Sequence, residues 1–171
     1  SPRSLPHVEA IIDEYVAQGF DSIFLRSLSP YGFAVRTSLI RRYDADDWFA
    51  FYTRGLSHIL DWNRRGVPLR EDFTAILLQK MFAPRGSSYV DLQSPAGIGI
   101  GAVVYNYDGT VYASDEGRML AEMGDFTFRL GTVHDDYTHL FGGETLLAPL
   151  EDSLLEAAPQ CSDCPFLPYC G

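Results

Sequence analysis

The chain has 171 residues, 46% of them hydrophobic, and 23 acidic against 13 basic side chains give a formal net charge of −10. This composition excludes a disordered or fibrous chain and supplies the core of one domain, or of one and a half small ones. The acidic balance argues against nucleic acid and anionic membrane as partners. No apolar run nears the ~20 residues of a membrane span and no signal peptide opens the sequence, so the expected compartment is the cytoplasm.

In chain order, His7 to Gln18 has helical spacing, with Val8, Ile11, Ile12, Tyr15 and Val16 on one face and Gly19 as a stop. Ser22 to Leu28 is a short apolar run that predicts a buried strand, and helix then strand is half of an α/β repeat. Pro30, Gly32 and Arg41-Arg42 fall in a loop. Asp46 to Arg65 predicts the longest helix, with Asp44, Asp46 and Asp47 at its positive end and Gly66 after it. A second helix is expected from about Arg70 to Phe82. The break at Pro84, Arg85 and Gly86 divides the chain into segments 1–85 and 86–171. In the second segment, Ala102–Tyr107 and Thr110–Ala113 flank Asp108-Gly109, a hairpin signal. Arg118–Met123 predicts a helical turn, Phe126–Val133 a strand or extended segment and Thr145–Ala157 a helix.

All three cysteines, Cys161, Cys164 and Cys170, lie in the last eleven residues, spaced C-x2-C-x5-C. A two-residue gap lets two thiolates turn onto one metal centre. Iron–sulfur binding, a zinc site completed by His134 or His139, and free or disulfide-linked cysteine all fit this spacing. The odd count and missing signal peptide argue against a disulfide framework.

The tail CSDCPFLPYCG resembles the C-x2-C-x5-C element of SPASM domains, which follow the barrel of radical SAM enzymes that modify peptides. Val103–Leu120 resembles the SPASM hairpin. There, however, Ser114 stands where the family has a cluster-binding Cys, and no upstream Cys occurs between Gln93 and Gly99. The departure counts against the first auxiliary cluster and leaves the second, with its fourth ligand beyond Gly171. Phe24–Ala34, Val90–Gly97, Asp108–Leu130 and the tail together are similar to the His-Xaa-Ser system radical SAM maturases. The resemblance implies an α/β fold, α+β within this segment: the end of a partial (β/α)6 barrel whose last strand is Ser22–Leu28, then a SPASM-like hairpin and helices. It also implies that the C-x3-C-x2-C motif for SAM and its 4Fe–4S cluster precedes Ser1, so that this fragment alone is inactive. The implied partners are a precursor peptide with His-Xaa-Ser repeats and a partner maturase. Cys161, Cys164 and Cys170 become ligands of an auxiliary 4Fe–4S cluster, empty or disordered in the fragment.

Other candidates carry plainer alternatives. Arg26, with Ser29 and Tyr31 in the loop 29–33, lies at the end of a barrel strand, where such folds collect their sites, and could meet SAM or substrate. Arg26 could equally anchor a neighbouring carboxylate. Asp115 and Glu116, followed by Arg118, could act as base or substrate contact, or cap a turn. His58 reads as a helix-boundary residue. Phe49, Phe51 and Tyr52 read as packing residues, and Gly97, Gly99 and Gly101 as backbone freedom. Two alternatives to an enzyme remain: a non-catalytic peptide-binding module with an open sheet edge, and a zinc-stabilised accessory domain.

Overall fold

The computed structural model describes residues 1–31, 35, 44–83 and 89–170. The chain divides into two compact units, Ser1–Leu78 and Gln79–Gly171. The expected break at Pro84–Gly86, the Arg41-Arg42 pair and Gly32 and Phe33 of the loop lie outside the described residues.

In the first unit, a single 3-10 turn (Leu5–His7) leads into α1 (Val8–Ala17). Val8 and Ile12, one turn apart, are fully buried, whereas Tyr15 at the rim of the same face is half-exposed against Phe20. Strand β1 (Ser22–Ile23) is shorter than the expected Ser22–Leu28. The reason is local: the Leu25 N–H donates to a side chain, Glu71 Oε1 at 3.1 Å, and so is not available to a strand ladder. β1 pairs in parallel with β2 (Arg70–Glu71), Ser22 opposite Arg70 and Ile23 opposite Glu71. Parallel neighbours need a long crossover, and α2 (Ala45–Arg64) lies within it. Asp44 caps α2 by accepting from Asp47 N at 2.7 Å.

Phe51, Gly55 and Ile59 recur every fourth residue and form the buried stripe of α2. They meet Val8, Ile12, Ile23, Leu25 and Leu69 in one apolar core. Phe49 does not pack as expected; it is 70% exposed, because helical spacing turns it away from that stripe. Asn63 ties the end of α2 to β2, accepting from Leu69 N and donating to the Ile59 and Leu69 carbonyls. Helix α3 (Asp72–Phe82) follows; β2 takes the two residues expected to open it.

The second unit is built on a three-stranded antiparallel sheet, β3 (Val104–Tyr105), β4 (Thr110–Tyr112) and β5 (Arg129–Thr132), in that order. The hairpin closes where Asp108-Gly109 predicts it. Asp108 Oδ1 accepts from Thr110 N and Oγ1 at 2.9 and 2.6 Å, and Gly109 supplies φ +82. Helix α4 (Asp115–Ala121) begins earlier than expected because Ser114 caps it, accepting from Gly117 N. A short helix not foreseen, α5 (Tyr137–Phe141), is capped by Asp136. Helix α6 (Glu144–Asp152) contains Pro149, which has no N–H to give its ladder, and ends at Asp152 rather than Ala157. Val111, Ala113, Leu130, Leu140 and Leu146 form the core. Gly99 approaches Leu146 so closely that a Cβ would lie 2.5 Å from its Cδ1.

Candidate functional site

Three groups of side chains carry chemistry, and each lies within one unit. The first is the cysteine tail. Residues 158–170 form consecutive turns: Cys161 N donates to Ala158 O, Cys164 N to Cys161 O, Leu167 N to Cys164 O and Cys170 N to Phe166 O. The thiols are free, two of them half-buried and Cys170 exposed. Soft thiolates at this spacing suit iron–sulfur or zinc chemistry. Among the described residues no group of three or more Cys, His, Asp or Glu is placed to hold a metal ion. Lys80, the only lysine of the chain, donates to Cys170 O at 2.6 Å and also to Leu92 O. Sequence reasoning passed over Lys80, although a single lysine in an acidic chain is a visible oddity.

The second group sits where β1 ends. The Arg26 guanidinium lies 5.2 Å from the centroid of the Phe24 ring, and Phe24 stacks on Phe73 at 6.0 Å. Arg26 and Ser29 are exposed and Tyr31 is half-buried. No described carboxylate forms an ion pair with Arg26, so the anchoring alternative finds no partner among the described residues. Beneath this surface lies Glu71, only 4% exposed. Its Oε1 accepts from Leu25 N (3.1 Å) and Phe73 N (3.3 Å), and its Oε2 from Thr74 N and Tyr52 OH (both 2.6 Å). Thr74 Oγ1 lies 2.6 Å from the Tyr52 oxygen and donates to it, since the tyrosine proton is committed to Glu71. Burial, reinforced by the neighbouring carboxylate, pushes the Tyr52 hydroxyl up to about 12, so it remains a donor. One carboxylate thus joins the end of β1, the start of α3 and the middle of α2. Nothing in the run Arg70-Glu71-Asp72 marks which charge is buried, so the sequence conceals it.

The third group is Asp115 and Glu116, both exposed in the first turn of α4. Arg118 Nε donates to Asp115 Oδ1 at 2.9 Å. Carboxylates there offset the positive end of the helix, an arrangement that serves capping. His58 Nε2 donates to Asp13 Oδ1 (2.6 Å), and Trp62 Nε1 donates to the same oxygen (2.8 Å). The hydrogen bond from His58 holds the Asp13 carboxyl below the usual carboxylate range.

No family model and no curated protein matches the chain. Solved structures do. Native anSMEcpe with bound AdoMet superimposes with a TM-score of 0.66 at 17% identity, over 99% of this chain and 43% of that one. The fold is that of a fragment of this structure. Native anSMEcpe with bound AdoMet and Kp18Cys peptide gives 0.64 at 16% identity, and the histidine-tagged form with AdoMet 0.68 at 16%, each over 99% of this chain and 44% of that one. The chain therefore spans less than half the length of the structures it matches. Among the described residues, no helix is long and apolar enough to cross a membrane.

Proposed function

We propose that the chain is the carboxy-terminal part of a radical SAM enzyme that modifies a ribosomally made peptide. The observation that carries this reading is the fold match over 99% of the chain to anSMEcpe holding AdoMet, which in one structure also holds a peptide. In this reading residues 1–85 are the end of a partial (β/α)6 barrel and 86–171 a SPASM-like segment. SAM and its 4Fe–4S cluster, bound by residues outside the chain, supply the 5′-deoxyadenosyl radical that removes a substrate hydrogen. The residues described above orient and bind. Arg26 presents a cation on an aromatic platform to a carboxylate of SAM or peptide, and Ser29 and Tyr31 offer hydroxyls beside it. Asp115 and Glu116 are at most peripheral contacts for a peptide. In its finer form the substrate carries His-Xaa-Ser repeats, a partner maturase takes part, and the setting is the cytoplasm.

Cys161, Cys164 and Cys170 form the proposed ligand set of an auxiliary 4Fe–4S cluster on the grounds of spacing and free thiols. Anaerobic iron, sulfide and zinc analysis of the longer protein tests the set. Cys164→Ala should lower iron by about one cluster per chain. Iron content unchanged by the substitution would remove the cluster from the reading, and zinc in native protein would replace it with an accessory zinc domain.

A further inference from the structure

The second unit has an unusual charge. Residues 79–171 hold 13 acidic and 4 basic side chains, which is −9 of the chain's −10. All 13 carboxylates are exposed. Of the bases, Lys80 is committed to two carbonyls and Arg118 to Asp115. In the same unit, β3 is an edge strand, with β4 on one side and no strand on the other among the described residues. Edge strands in isolated proteins are commonly guarded by Lys or Pro. Val103–Tyr107 carries no Lys, Arg or Pro. Instead it carries two exposed tyrosines, Tyr105 in β3 at 63% and Tyr107 in the turn that follows at 91%.

The hairpin end of the sheet adds charge to these rings. Asp108 lies in the hairpin turn directly after Tyr107, its Oδ1 accepting from Thr110 N and Oγ1. Those hydrogen bonds hold its carboxyl below the usual carboxylate range, so it is anionic near neutral pH. Aromatic faces beside fixed carboxylates suit Lys and Arg side chains, and a bare strand edge suits an extended main chain.

We propose that the β3 edge takes an extended cationic peptide segment as an added strand, with its Lys or Arg side chains over Tyr105 and Tyr107 and toward Asp108. The proposal names the partner of the peptide-modifying reading and rests on it. Its test needs no SAM or cluster, so its failure and the failure of that reading are separable.

The probe is a fluorescently labelled peptide alternating Lys and Thr, titrated against the full chain. Exchanging Lys for Glu should weaken binding at least about ten-fold, and so should raising the salt from low to ~0.3 M. N-methylation of alternate residues, which blocks a strand ladder, should cost about ten-fold, as should Tyr105→Thr with Tyr107→Ser. Both tyrosines are exposed, so circular dichroism should remain native. Glu151→Gln with Asp152→Asn, which neutralises two carboxylates at the end of α6, should change binding less than about two-fold. Equal binding of the N-methylated peptide, or an equal loss in the α6 variant, would overturn the proposal in favour of diffuse attraction. No binding of the Lys peptide at low salt would overturn it outright.

Discussion

Glu71 is the residue on which the first unit turns. A carboxylate 4% exposed, with no ion pair among the described residues, is tolerable because four donors satisfy it. Removing it takes the acceptor from three backbone N–H groups and leaves the Tyr52 hydroxyl with Thr74 alone. Glu71→Ala should therefore cost about 3 kcal/mol or more, read as a lower urea midpoint at unchanged slope. Glu71→Gln should cost less, since one oxygen still accepts, and Tyr52→Phe about 1–2 kcal/mol, the value of one hydrogen bond to a charged group. A Glu71→Ala midpoint equal to wild type would mean the network is not formed. None of this was legible beforehand. The sequence identifies Glu71 as one of three adjacent charges, and only the parallel pairing of Ile23 with Glu71 carries that carboxylate inside.

At the level of elements, α1 and α2 are joined by an apolar seam and by surface links along its border. Gly55 opens the seam: a Cβ there would lie 2.7 Å from Val8 Cγ2 and 2.8 Å from Leu25 Cδ1. Along the border, Arg54 grips Glu9 through two hydrogen bonds of 3.0 and 2.8 Å and holds its carboxyl down at about 2. A carboxylate with a depressed folded pKa contributes stability above its unfolded value, and that contribution is lost as pH falls through the folded one. The stability difference between wild type and Glu9→Gln should thus be present at about pH 6, shrink below about pH 4.5 and vanish near 2, while ~1 M salt reduces it throughout because both partners are exposed. A difference independent of pH would contradict the ion pair. The helices themselves were legible: capping carboxylates and apolar spacing gave α1 and α2 within a residue or two, and Asp108-Gly109 gave the hairpin. The strands were over-extended at Ser22–Leu28 and Phe126–Val133. Apolar composition does not reveal that a side chain, or a turn such as Phe126 O to Arg129 N, has taken the hydrogen bond a ladder would need.

For the molecule as a whole, the two units differ in charge and in what they can do. The first unit presents Arg26 above a buried polar hub, and the second an acidic surface with a bare strand edge and a thiol-bearing tail. The resemblance of the tail and hairpin to SPASM domains implies a radical SAM context, and the chain shares its fold with a fragment of anSMEcpe. The most direct measurement takes the longer protein that contains this chain, reconstituted anaerobically with iron and sulfide and given SAM and a strong reductant. The account predicts 5′-deoxyadenosine release that depends on a C-x3-C-x2-C motif upstream of Ser1 and falls several-fold with Arg26→Ala. A longer protein without that motif, or one that releases no 5′-deoxyadenosine with its clusters intact, would contradict it.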